Sequence, residues 1–215
     1  MMALPLSRRL FLKLAGVGFA VASIFMPLTA AHADTDGAGK FVQGLGDKAI
    51  SVLADKTKTP EQAGQVFREM LHNSFDLDLL GKFALGPANW RAATAEQKAQ
   101  YLKLFEKLVV QIYSDRFKLY SGESFKVAST KAEDDRDTYV TSDIVKPGAG
   151  AAPVQVDWRV RNKGGRYQVI DVIVEGVSMS VTQRSEFAAV IQKNGGDLQE
   201  FLKILAERVA MTEQK

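Results

Sequence analysis

The chain of 215 residues contains no cysteine, and histidine occurs only at His32 and His72. The first absence excludes disulfides, thiol catalysis and thiolate metal sites. The second leaves any imidazole cluster or Ser-His-Asp triad to be built around one or two rings. No long hydrophobic run is present either. The most apolar stretch, Leu14 to Met26, is interrupted by Gly16 and Gly18 and is shorter than the ~20 residues that a membrane-spanning helix needs. Excess charge of one sign is also lacking. Arg8, Arg9 and Lys13 are the only charges in residues 1–33, so beyond them the 28 basic side chains fall to 25, equal to the 25 acidic ones. Phosphate binding calls for a basic excess or stripe, so the composition speaks against nucleic acid as a partner.

What is present at the amino terminus is ordered. Ser7-Arg8-Arg9-Leu10-Phe11-Leu12-Lys13 is followed by the moderately apolar run, then Pro27, then Ala31-His32-Ala33. A basic segment, an apolar segment and a small-x-small site in that order read as a cleavable export signal. The paired arginines favour the twin-arginine route over the general one. The expected organisation is a signal peptide over 1–33, cut between Ala33 and Asp34, and a single domain over 34–215 in the bacterial periplasm. No cysteine follows the cut, which excludes a lipoprotein anchor. In that oxidising compartment the core alone must supply stability.

Helical spacing of Phe41, Val42, Leu45, Ala49, Ile50 and Leu53 predicts a helix over 38–56, with Gly44-Leu45-Gly46 a loose stretch within it and no phosphate loop. Thr59-Pro60-Glu61-Gln62 and Thr94-Ala95-Glu96-Gln97 have the form of capping boxes. Asp76 opens a short helix closed by Gly86-Pro87. The longest helix runs from Thr94 to about Tyr120, ended by Ser121-Gly122. The period then changes to two. Residues 123–130, 137–145, 153–162 and 166–175 read as strands, and Val154, Val156, Trp158 and Val160 alternate with polar neighbours, giving one buried and one wet face. Asn162-Lys163-Gly164-Gly165 is a tight hairpin turn. Helices over 183–193 and from Asp197, with Glu200 completing a third box, close the chain. The expected fold is α+β: a four-stranded antiparallel sheet wrapped by about six helices.

Polar candidates for chemistry are sparse. His72 lacks partners nearby in sequence. Glu133, Asp134, Asp135 and Asp137 lack the spacing of a calcium loop and read as a solvated turn. Asp157 and Asp171 on adjacent strands invite an acid/base reading, yet Asp157 lies on the polar face. Ser178 and Ser180 have no nucleophile-elbow context. Large apolar side chains are plentiful instead, among them Phe67, Phe75, Phe83, Trp90, Phe105, Tyr113, Phe117 and Trp158. They suit either a large ordinary core or a concave apolar pocket, and periodicity does not separate the two.

An ordered series of short segments carries a resemblance. Phe75-Asp76-Leu77-Asp78, Ala84-Leu85-Gly86-Pro87-Ala88-Asn89-Trp90-Arg91, Tyr101-Leu102-Lys103-Leu104-Phe105, Ile112-Tyr113, Ile170-Asp171-Val172, Glu175-Gly176-Val177-Ser178, Arg184-Ser185-Glu186-Phe187 and Asn194-Gly195-Gly196 together resemble the Mla, or toluene-tolerance, family of periplasmic phospholipid shuttles, that is, MlaC-like proteins. The Gly86-Pro87 turn departs from the family's more usual shorter version and leaves open the hopanoid-associated branch of the superfamily, whose members often have Gly-Pro there. The resemblance implies a monomeric carrier without catalytic residues, metal or cofactor, whose cargo is phospholipid. Its partners would be an inner-membrane ABC transporter complex and an outer-membrane lipoprotein–porin complex, and its work would maintain outer-membrane lipid asymmetry. The residues expected to line an apolar pocket between sheet and helices are Phe75, Leu80, Phe83, Trp90, Leu108, Ile112, Tyr113, Phe117, Val140, Val156, Trp158 and Val172. The competing expectation is an enzyme on a cone-shaped α+β fold, acting on a small hydrophobic substrate through Asp157, Asp171 or Tyr139.

Overall fold

A computed structural model describes residues 34–117, 120–148, 150 and 152–213. The expected signal peptide and Ala33 lie outside the described residues.

Helix starts follow local chemistry. Asp34 caps α1 (Thr35–Ala54), its Oδ1 accepting the Gly37 N–H at 2.8 Å. Thr59 and Gln62 form a reciprocal capping box on α2 (Pro60–Ser74). Asp76 caps α3 (Leu77–Leu85) through Leu79 N–H. Thr94 and Gln97 repeat the reciprocal box on α5 (Ala95–Phe117). Ser178 caps α6 (Met179–Lys193), four residues ahead of the expected start. The Asp197 carboxylate accepts the Gln199 and Glu200 N–H groups at the head of α7 (Leu198–Glu213).

Two elements correct the expected count. Gly86 does more than end α3: with φ at +85°, open to glycine and costly for other residues, it also turns the chain into α4 (Pro87–Ala92), where Pro87 suits a first helical turn. Among the described residues there are therefore seven helices, where about six are expected. The sheet has five strands and not four, because Glu175-Gly176 reverses the chain into a two-residue strand too short to show alternation. Its members β1 (Ser124–Ala132), β2 (Asp137–Val145), β3 (Val154–Lys163), β4 (Arg166–Val174) and β5 (Val177–Ser178) follow one another as an antiparallel meander.

Register defines two faces. On one, Val140 of β2 pairs with Trp158 of β3, which pairs with Val172 of β4; beside them run Ser142, Val156 and Val174. Helix α1 packs on this face, where its Ala38 and Val42 join Val140 and Val160 in a buried cluster with Phe41, Phe125, Val127, Trp158 and Tyr167 around it. The close approach depends on Gly46, where a Cβ would stand 2.1 Å from the Phe125 ring. Gln43 ties the same helix to the sheet edge, its Oε1 accepting the Val127 N–H at 2.8 Å beside a β-bulge. The other face carries Thr141, Asp157, Arg159, Asp171 and their polar neighbours.

A second irregularity lies where Arg159 pairs with Asp171 and Val160 with Val169, leaving Ile170 of β4 unpaired. The Asp76 N–H donates to the Val169 carbonyl at 3.0 Å, and Phe75 pairs with Val169 in parallel. This joint docks α2 and α3 onto the sheet.

Candidate functional site

Burial of apolar side chains drives such a fold, and here it is divided. One cluster is wholly helical: Leu85, Tyr101, Phe105, Leu108, Phe187, Ile191, Phe201, Leu202 and Leu205 interlock between α3, α5, α6 and α7. Phe187 meets Tyr101, Phe105 and Phe201 edge-on, the last with ring centroids 5.0 Å apart. Tyr101 donates its hydroxyl to the Gly81 carbonyl at 2.8 Å, and burial pushes that hydroxyl's pKa up. The second cluster is the one beneath α1. The third is small, with Phe67, Leu71 and Val110 joining α2 to α5 and Phe75 against them.

Among the described residues, these clusters leave out a set of valines and an isoleucine on the helix-covered face of the sheet. Val156 is only 4% exposed yet belongs to none of the three. Ile144, Val154, Val172 and Val174 are half-buried around it. A row of apolar side chains runs in register from Val156 to Val174 to Val177, the last 54% exposed. Val156 is thus buried outside the three clusters, and half-buried neighbours continue it to an exposed edge, an apolar strip of the kind that walls a hydrophobic binding cleft.

The twelve expected lining residues divide accordingly. Val156 and Val172 stand on this strip. Val140 and Trp158 share its face but pack beneath α1. The Trp158 indole donates to Ser142 Oγ at 2.9 Å, and its ring meets Phe125 edge-on. Phe75 sits in the small α2–α5 cluster. Leu108 is in the helical cluster, with Leu80, Trp90 and Ile112 packed against it. Phe83 is 40% exposed, with the Arg184 guanidinium over its ring. The side chains of Tyr113 and Phe117 lie outside the described residues. Periodicity missed Val174 because it closes β4 at a hairpin, but its place in the alternation with Val172 marks it.

The polar candidates fall elsewhere. Asp157 accepts from Thr141 Oγ1 at 2.6 Å and from Gln155 at 3.1 Å on the outer face. Asp171 accepts from Ser178 Oγ at 2.6 Å and from the Val172 and Ser180 N–H groups, and so anchors the start of α6. Tyr139, paired in register with Arg159, is also on the outer face; desolvation and the charge of Glu133 raise its pKa. The acidic turn is not simply solvated, as expected. Asp137 is fully buried and held bidentately by Arg161 at 2.7 Å for both contacts, with Arg159 at 3.1 Å. Its register opposite Arg161 supplies the partner that the local sequence does not. His72 is exposed and meets Glu106 at 2.7 Å. These two, with Leu77, Asp78, Leu102 and Lys103, line a surface groove of about 290 Å³ whose charged walls suit no acyl chain. No group of His, Asp and Glu suited to a metal ion occurs among the described residues. No helix among them is long and apolar enough to cross a membrane.

Comparison with known proteins agrees with this architecture. The family model described as "MlaC protein" matches residues 43–207. The toluene tolerance protein ttg2D of Pseudomonas putida is 29% identical over 139 residues, a match covering 65% of this chain and 64% of that protein. The intermembrane phospholipid transport system binding protein MlaC of Haemophilus influenzae is 25% identical over 162 residues, covering 73% and 75%. Among solved structures, the phospholipid-binding protein from Ralstonia solanacearum, in complex with a phospholipid, has the same fold. Its TM-score is 0.70 at 24% identity, covering 82% of this chain and 98% of that one. The chain belongs to the MlaC family.

Proposed function

We propose that this protein is a periplasmic phospholipid carrier. Its acyl-chain site would be the apolar strip of Val156, Val172 and Val174 and the helices facing it. The observation that carries the reading is the valine row itself: it lies on the sheet face that α1 also covers, yet belongs to none of the three apolar clusters and runs out to the exposed Val177. Removing each CH₂ of an acyl chain from water is worth about 0.8 kcal/mol, so long tails cross an aqueous space only inside such a shield. The names of the two relatives and the phospholipid of the Ralstonia protein support the same reading.

Carriage needs no bond-making, and the side chains around the strip offer none. The carboxylates that an enzymatic reading would use, Asp157 and Asp171, occupy the opposite face and are engaged by Thr141, Gln155 and Ser178. In the full proposal the carrier exchanges lipid between an outer-membrane lipoprotein–porin complex and an inner-membrane ABC transporter complex, and thereby maintains lipid asymmetry. Whether the cargo is a glycerophospholipid or a hopanoid-type lipid is answered by the test: native mass spectrometry of the purified protein, with the released lipid identified after solvent extraction.

A further inference from the structure

We propose that the corner formed by α3, α4 and the start of α6 is a docking surface for an anionic lipid bilayer. Three rings-and-cations contacts gather there. Lys82 of α3 and Lys98 of α5 each sit over the Trp90 ring of α4, at 5.4 and 5.5 Å from its centroid. Arg184 of α6 lies over Phe83 at 5.2 Å, and its side chain also approaches Gly86, the α3–α4 junction. Arg91 closes α4 and is exposed. None of these four cations forms a salt bridge with a described residue, whereas other basic groups do: Lys163 with Asp76, Arg161 with Asp137, Arg208 with Glu186. The carboxylates near these cations in sequence are Asp76, paired with Lys163, Asp78 in the groove, Glu96 at the α5 cap and Glu186, paired with Arg208, while Glu106 further along α5 meets His72. A chain whose charge is otherwise balanced therefore gathers four cations without salt bridges at one corner, Lys82 acting only at longer range on Asp76.

Apolar surface accompanies the charge. Phe83 is 40%, Val177 54% and Val181 53% exposed. Val181 stands one helical turn before Arg184 on α6, and Val177 ends the apolar row that begins at the buried Val156. The patch is thus continuous with the strip assigned to acyl chains. Its chemistry is that of a lipid interface, where a Trp ring takes the headgroup level and Lys and Arg reach anionic phosphates. The bilayer is favoured over a protein partner because the cations rim an apolar row that leads into the acyl-chain strip, so charge and apolar surface meet as headgroups and tails do. The docking surface stands on its own geometry; only its purpose, loading and release, rests on the carrier reading.

Co-sedimentation with vesicles tests it at low ionic strength, using phosphatidylcholine with or without phosphatidylglycerol. The double variant Lys82→Glu/Lys98→Glu is compared with Lys126→Glu/Lys131→Glu, an equal charge change at exposed positions on β1. Wild type and the β1 variant should bind only the vesicles containing phosphatidylglycerol, and added salt should release them. The Lys82/Lys98 variant should bind at least about tenfold more weakly. Equal binding by the two variants, or indifference of the wild type to phosphatidylglycerol, overturns the proposal. No wild-type binding also overturns it and leaves an acidic protein surface as the occupant. Thermal melts check folding, and native mass spectrometry of the same samples reads cargo separately. Vesicle binding by a lipid-free protein would uphold the docking surface and count against the carrier reading, while cargo without vesicle binding would do the reverse.

Discussion

Val156 of β3 lies directly opposite Val174 of β4, on the face that the helices cover. Both are apart from the three packed clusters, although Val156 is only 4% exposed. This relationship separates a cleft from a core. In a packed interior Val156→Trp overfills the site and costs about 1–3 kcal/mol. In a lipid cleft the indole takes volume that an acyl chain would fill. The expected result is a thermal midpoint close to wild type and a loss of bound lipid. Both proteins must be compared lipid-free, since bound cargo raises the midpoint by mass action. A sharply lowered midpoint with unchanged lipid content would contradict the assignment.

Two glycines in α1 should respond in opposite directions to the same change. A Cβ at Gly44 meets nothing within 4 Å, while one at Gly46 falls 2.1 Å from the Phe125 ring. Gly44→Ala should therefore stabilise by about 0.5–1 kcal/mol through helix propensity alone. Gly46→Ala gains the same propensity but must displace a ring that packs beneath the helix, and should be destabilised by about 1–3 kcal/mol. Urea denaturation of the two variants measures both. Stabilisation by Gly46→Ala would show that α1 does not rest on Phe125 in solution.

Asp76 links stability to acid. Burial works to raise its pKa, but Lys163 Nζ at 2.6 Å and the Leu79 N–H at 3.1 Å outweigh that and hold it below its ordinary 3.8. A carboxylate depressed in the folded state contributes stability above its unfolded pKa and loses it as pH falls through the folded value. Asp76→Asn should cost about 1 kcal/mol near neutral pH, through the lost ion pair and a weakened cap. The gap in thermal midpoint should close progressively as pH drops below about 4. A gap constant with pH would place the cost in the cap and the Val169 joint rather than in the charge.

Much of the scaffold was legible from local chemistry. The strands β2, β3 and β4 fall within one residue of their expected limits because alternation and the Gly164-Gly165 turn are unambiguous. The Thr59 and Thr94 boxes form as read. What escaped was long-range. Helix α5 is apolar on two sides, sending Leu108 to α6 and α7 and Val110 to α2. Spacing shows that such residues point inward but not against which neighbour, so Leu108 was expected in the cleft. The same gap hid Asp137, whose burial depends on Arg161, a residue brought opposite only by strand pairing.

The central claim is that the strip around Val156 holds lipid tails. Native mass spectrometry of the protein purified without detergent, before and after organic-solvent extraction, tests it most directly. A folded species heavier than the polypeptide by the mass of bound lipid is expected, collapsing to the polypeptide mass on extraction, with phospholipid recovered in the solvent. A single species at the bare polypeptide mass, unchanged by extraction and taking up no lipid from added phospholipid vesicles, would contradict it.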